Sequence, residues 1–409
     1  MDFDKIIPRH GTDSLKYDGS VPRGKPEGLL PLWVADMDFA APDEVLAAIN
    51  ERVAHGVFGY SEPDGAYFAA LANWFGGRFG YDFKREWVAL APGVVYAIAV
   101  AVRALTKRGD AVLIQEPVYY PFRQTVLHND RRLVVNELLL GRAGATDSPT
   151  VGASPSDAAT APPQTYTVDL EDFEAKIAAN DVKLFILCSP HNPVGRCFSA
   201  DELREMVRIC AKHDVLIFSD EIHCDFIFGD KKHHLLPALC PDEAPRMILA
   251  TAPSKTFNLA GLQLANIFIS DEKLRRIFVQ EIYKSGFSQA NALGIVACRA
   301  AYAHGAAWLD ALNTYLWENF MYLDNFLKTN LPTIQLTPPQ ATYLAWLDCR
   351  ALGLSPDELD YKLIHEAGLW LSRGDSFGQG GAGFTRINVG CPRATLVSCM
   401  ERFANAVSK

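Results

Sequence analysis

No run in this 409-residue sequence is long and apolar enough to cross a bilayer. The longest, Val94 to Val102, is cut by Arg103, well short of the ~20 residues a spanning helix needs. Positive charge is scarce as well. With 39 Lys and Arg against 48 Asp and Glu the formal charge is −9, and no basic stripe offsets it, so nucleic acid is a poor partner. The nine cysteines, an odd number, contain no pair at Cys-x-x-Cys spacing. A disulfide framework and a zinc site are therefore both poor readings, and a reducing, cytoplasmic setting is expected. The opening Met1-Asp2-Phe3-Asp4-Lys5 reads as too polar and acidic for a signal peptide. Disorder is excluded by a composition that is 49% hydrophobic and 21% charged, enough for one large domain and a smaller companion.

What is present is an alternation of short apolar runs and amphipathic stretches. Ala111–Ile114, Lys183–Leu187, Val215–Phe218, Arg246–Ala250 and Asn266–Ile269 show no polar alternation and read as parallel strands buried on both faces. Between them, Ser199 with Glu202 forms a capping box opening a helix over Ala200–His213, and Ser355-Pro356-x-Glu358 opens another. Val94–Leu105 follows Pro92-Gly93 and is apolar nearly all round, a buried helix. The pattern predicts an α/β fold with a doubly wound, mainly parallel sheet. Past residue 285 the strand rhythm fades into a long helix, Ala306–Leu331, then strands at Tyr343–Asp348 and Phe384–Val389, a smaller α+β domain. The expected division is an N-terminal arm over 1–45, a large domain over 46–288 and a small domain over 289–409. Gly141–Thr165, rich in Ala, Ser, Thr and Pro without an aromatic residue, reads as a flexible surface insertion.

In an open parallel sheet the chemistry is sought just beyond the strands' carboxyl ends. Three segments fall there: Cys188-Ser189-Pro190-His191-Asn192-Pro193, Ser219-Asp220-Glu221-Ile222-His223 and Thr251-Ala252-Pro253-Ser254-Lys255. A fourth, Ala91-Pro92-Gly93-Val94-Val95, is a glycine turn entering a helix, whose free N–H groups suit an anion. Singly each has a bland reading: a turn, a helix cap, a solvated lysine. Jointly they supply what pyridoxal 5′-phosphate requires. Lys255 is the amine for a Schiff base and later the base at the substrate's Cα, and Asp220 keeps the pyridine nitrogen protonated. Asn192 and His223 reach the phenolic oxygen. The amides of Gly93, Val94 and Val95 with the Ser254 hydroxyl hold the phosphate, and Tyr119 stacks on the ring.

These segments, with Leu30-Pro31-Leu32-Trp33-Val34-Ala35-Asp36-Met37-Asp38-Phe39, Phe58-Gly59-Tyr60-Ser61 and Arg386-Ile387-Asn388, resemble the fold-type I pyridoxal-phosphate enzymes of the class I/II aminotransferase superfamily. Within it the chain most resembles the MalY/PatB group of cystathionine β-lyases, the C–S lyases. The resemblance implies an aminotransferase-like fold, α,β-elimination from cystathionine or cysteine-type amino acids, and a homodimer with shared active sites. It implies that Arg386 grips the substrate α-carboxylate, that Asp36 and Tyr60 stand at the substrate, and that Tyr60 also reaches a neighbouring subunit's phosphate. Transamination is the alternative, and a regulatory binding role a third. One departure is plain: where the superfamily often has Ser and Arg on the phosphate, this chain has Ala252 and Gln263.

Overall fold

The computed structural model describes residues 1–142 and 164–408. Its largest sheet has seven strands: β1 (Val88–Ala91), β2 (Ala111–Glu116), β3 (Arg132–Glu137), β4 (Val182–Cys188), β5 (Leu216–Asp220), β6 (Met247–Thr251) and β7 (Ala265–Phe268). Their spatial order is β1-β7-β6-β5-β4-β2-β3. Neighbours from β3 through β6 are parallel, and helices cover both faces, the mainly parallel α/β sheet that the apolar runs predict. One strand departs. β7 is antiparallel to both β1 and β6, whereas its apolar run reads as parallel. A parallel return needs a crossover back along the sheet; the link after β6 instead turns through Pro253–Thr256 and Ala260–Leu262 and re-enters at the same edge. Two strands were not legible. β3 is an edge strand with exposed ends, and β1 is only four residues long.

Helix Val94–Leu105 matches its sequence bounds and buries Ala97, Ile98, Val100, Ala101 and Val102 completely. The Ser199–Glu202 capping box forms in both directions, Glu202 N–H to Ser199 Oγ at 3.2 Å and Ser199 N–H to Glu202 Oε2 at 2.8 Å. A second, four-stranded antiparallel sheet contains Gln335–Leu336, Leu344–Asp348, Ser372–Arg373 and Phe384–Asn388. The long helix Ala306–Asn330 and the helix Arg393–Val407 pack with each other beside it. The N-terminal segment joins this region, because Leu30–Pro31 pairs in parallel with Leu369–Trp370. Most of the expected insertion, 143–163, lies outside the described residues. Its two ends pair with each other, Gly141 with Thr165 and Arg142 with Gln164, in a two-stranded ladder.

Below the sheet's carboxyl edge lies a buried polar network. Glu221, fully buried, accepts from Ser219 Oγ at 2.8 Å and from Leu236 N–H at 2.9 Å, and its Oε2 stands 2.6 Å from His233 Nε2. Burial works against charge on His233, but its hydrogen bonds to Cys197 and Glu221 outweigh burial and raise its pKa to about 9. A pKa above the unfolded value of 6.5 means the folded state holds a proton that the unfolded state releases. This stabilisation is complete below pH ~6.5 and fades as pH rises through ~9. The melting temperature of the wild type should therefore fall over that window relative to His233→Gln, by an amount equivalent to roughly 3 kcal/mol. Parallel melting curves for the two proteins would contradict the charged state.

Candidate active site

Strand register brings the three chemical segments together. Cys188 is level with Asp220 and Asp220 with Ala250, so the loops carrying Asn192, Asp220 with His223, and Lys255 leave the sheet side by side. The antiparallel β7 completes the edge, setting Ala265 opposite Ala91 and Asn266 opposite Thr251, which delivers Gly93 and Gln263 to the same place. Gly93, Asn192, Asp220, His223, Lys255 and Gln263 border one cavity of about 620 Å³, together with Tyr119, Ser254, Arg386 and the first residues of the Val94 helix. Two expected site residues are not brought to it. Tyr60 is 94% exposed and borders no part of this chain's cavity. The Asp36 side chain is also absent from the lining. It pairs with Arg9 Nη2 at 2.7 Å and with Lys16 Nζ at 3.7 Å, because those two cations on the N-terminal segment draw it away.

Charge is concentrated here without matching partners. Asp220 accepts a hydrogen bond from Ile222 N–H at 3.1 Å, and no described cation is bonded to it. Burial raises its carboxyl pKa to about 7, with Lys255 pulling the other way. Burial likewise lowers the Lys255 amine to about 8, opposed by the charge of Asp36. Lys255 Nζ donates to Ala35 O at 2.6 Å, and the same carbonyl accepts from Tyr343 OH at 2.9 Å. Arg386 has only neutral acceptors: Nη1 to Asn192 Oδ1 at 2.9 Å, Nη2 to Trp33 O at 2.6 Å and to Ser372 Oγ at 3.1 Å. Its Nε is buried without a partner, and desolvation lowers its pKa to about 10, still a cation at neutral pH. His223 is buried, and desolvation with the nearby Lys255 and Arg386 charges holds it well below 6.5. It is neutral, and its Nδ1 has no partner. Burial raises the Tyr119 hydroxyl to about 12, so it stays a donor.

Each of these groups matches a part of pyridoxal 5′-phosphate or of its substrate. A lone buried carboxyl suits a protonated pyridine nitrogen, and a neutral imidazole with a free nitrogen suits a phenolic oxygen. The N–H groups of Val94, Val95 and Tyr96 precede the first helical bond, Ala97 N–H to Gly93 O, so they are open to an anion. A Cβ on Gly93 would meet nothing within 4 Å, which leaves room for the phosphate. The arginine with no acidic partner suits a substrate carboxylate. Sequence reasoning missed Ala35, Tyr343 and Ser372. Ala35 acts through its carbonyl, and the other two arrive from the second sheet. Ala35 lies in the quoted Leu30–Phe39 segment and Tyr343 at the start of an expected strand, whereas Ser372 carried no signal.

An open α/β sheet with an amine, a carboxylate and an anion cradle along one edge defines a pyridoxal-phosphate enzyme. The comparisons give the family: residues 27–138 and 150–403 match the model for aminotransferase class I and II, and the chain belongs to that family. It is 40% identical over 408 residues to the cystathionine beta-lyase PatB of Bacillus subtilis, covering all of both chains. To the protein MalY of Escherichia coli it is 32% identical over 409 residues, covering 100% of this chain and 99% of the other. The crystal structure of cystalysin from Treponema denticola, which contains pyridoxal 5′-phosphate, superposes with a TM-score of 0.91 at 32% identity, over 100% of this chain and 98% of that one. Pyridoxal 5′-phosphate is the cofactor.

The Lys255 pKa has a direct consequence. Only the neutral amine attacks an aldehyde, and burial makes the amine neutral above pH ~8 rather than above ~10.4. The rate at which cofactor-free protein takes up pyridoxal 5′-phosphate should rise through pH ~8 and level off near ~9. A rate still climbing steadily at pH 10 would show an ordinary, solvated lysine.

Proposed function

We propose that the protein is a C–S β-lyase that cleaves cystathionine- or cysteine-type amino acids to a thiol, pyruvate and ammonia. The observation that carries this reading is the buried Lys255 amine in one cavity with Arg386, whose guanidinium has no acidic partner, in a chain 40% identical along its full length to a cystathionine beta-lyase. When bound, pyridoxal 5′-phosphate supplies an aldehyde for the substrate amine and a ring that takes up the Cα electron pair. The protein's own residues supply the rest. Arg386 holds the α-carboxylate with its free Nε, while Trp33 O, Ser372 Oγ and Asn192 Oδ1 keep the guanidinium plane in place. Lys255 Nζ removes the Cα proton; the resulting ammonium is received by Ala35 O and favoured by the Asp36 carboxylate. Asp220 steadies positive charge at the ring nitrogen. Transamination by the same residues is the second reading, which the family model supports.

We also propose a homodimer with shared sites. Tyr60, Phe58, Val57 and Val53 form an exposed apolar run, which suits burial against a second copy. Tyr60 then serves the neighbouring subunit's phosphate and substrate. The nine free cysteines support a reducing, cytoplasmic setting, and no described helix is long and apolar enough to cross a membrane.

Incubation with L-cystathionine should yield pyruvate without any added 2-oxo acid, and strict dependence on a 2-oxo acid would establish transamination instead. Shared sites predict complementation. Mixing inactive Lys255→Ala with inactive Tyr60→Ala subunits should restore about a quarter of wild-type activity, because half the dimers are mixed and each mixed dimer has one intact site. No recovery after subunit exchange would place Tyr60 outside the partner's site.

A further inference from the structure

The acceptor that holds Lys255 is shared. Ala35 O receives Lys255 Nζ at 2.6 Å and Tyr343 OH at 2.9 Å, one donor for each lone pair of the carbonyl. The second sheet arranges this. Asn388 Nδ2 donates to Val34 O at 2.8 Å and to Asp36 O at 2.6 Å, which takes up the carbonyls on either side of Ala35 and leaves its own to Lys255 and Tyr343. Tyr343 directly precedes strand Leu344–Asp348, in which Leu344 is level with Asn388, so one end of that sheet supplies both grips. The Tyr343 ring is fully buried and stands edge-on to His223 and Phe226, with centroids 5.7 and 4.9 Å away. Its main-chain carbonyl accepts from Val389 N–H at 2.9 Å. Burial first, and the charge of Asp36 second, raise the phenol's pKa against the opposing Arg386 charge, so the hydroxyl stays a donor.

A lysine that bonds to a cofactor aldehyde gives up its resting acceptor: the amine attacks the aldehyde carbon, a C=N bond forms and water leaves. A carbonyl abandoned in a half-buried site carries the cost of an unmade hydrogen bond. We propose that Tyr343 is a positioning residue that keeps Ala35 O bonded whenever Lys255 is away, so that the lysine departs and returns without orphaning the carbonyl. The hydroxyl does not meet the reacting atoms; it acts through Ala35. The release step rests on Lys255 being the amine that takes the cofactor, whereas the sharing of one acceptor is tested with no cofactor present.

Tyr343→Phe removes the hydroxyl and keeps the ring. Titrated with pyridoxal 5′-phosphate and followed by visible absorbance, the cofactor-free variant should bind about fivefold more weakly than the wild type, because only its complex leaves Ala35 O without a donor. Thermal unfolding of the cofactor-free wild type, Tyr343→Phe, Lys255→Met and the double variant supplies a readout that a simple loss of packing would not move. Each single variant still leaves Ala35 O one donor, so the double variant should lose more stability than the two single losses added together. Unchanged cofactor affinity in Tyr343→Phe, or additive losses across the four proteins, would overturn the assignment. If Lys255→Met develops the same visible band as the wild type, the release step fails together with the lysine reading, while the unfolding cycle alone still decides whether the carbonyl is shared.

Discussion

The structure depends on a set of charges held out of water without matching partners. A buried ionisable group ordinarily pairs or loses its charge. Here Asp220 is driven toward its neutral form and Lys255 toward its free amine, each by burial first and by neighbouring charge second. Arg386 remains charged against neutral acceptors alone. Such a set is costly by itself, and a cation beside Asp220 or a carboxylate beside Arg386 would offset the cost. The same desolvation that makes the site costly to form also makes it reactive, since a lysine that is neutral near pH 8 serves as nucleophile and base where a solvated lysine would not.

Holding those groups apart falls to the segment from Trp33 to Phe39. Its carbonyls act as fixed dipoles: Trp33 O on Arg386, Ala35 O on Lys255, Val34 O and Asp36 O on Asn388 Nδ2 at 2.8 and 2.6 Å. Asn258 clamps the far end, accepting from Met37 N–H at 2.9 Å and donating to Met37 O and Phe39 O at 2.8 and 2.9 Å. Arg9 and the fully buried Lys16 neutralise Asp36 and Asp38 behind it. This arrangement explains why Asp36 does not touch the cavity: its charge is spent on the N-terminal segment, and reaches Lys255 only through space.

Most of the inner site was legible because the carboxyl ends of parallel strands are a place that can be found from apolar runs alone. Asn192, Asp220, His223 and Lys255 lie at such ends, with their local chemistry written in consecutive residues, while the Gly93 turn was legible instead as a glycine entering an apolar helix. The reversed direction of β7 was hidden because a short buried strand looks the same either way, and only the link through Lys255 sets its sense. Ala35 and Ser372 were hidden for different reasons. A backbone carbonyl has no sequence signature, and serine in a two-residue strand is unremarkable until the second sheet sets it against Arg386.

That difference in legibility follows a difference in role. The edge of the seven-stranded sheet provides the amine, the carboxylate and the anion cradle, the groups any reaction on this cofactor needs. Trp33, Trp370 and Arg386 come instead from the N-terminal segment and the region around the second sheet, and they border the same cavity. Two separate sets of elements therefore meet across one cavity. A small displacement of the second set would change which side chain is admitted and how its Cα–H bond is presented, while leaving Lys255 and Asp220 in register on their strands. Elimination and transamination diverge only after the same proton is removed, so the groups at the sheet edge serve either reaction, and elimination alone requires a leaving group on the substrate's β-carbon.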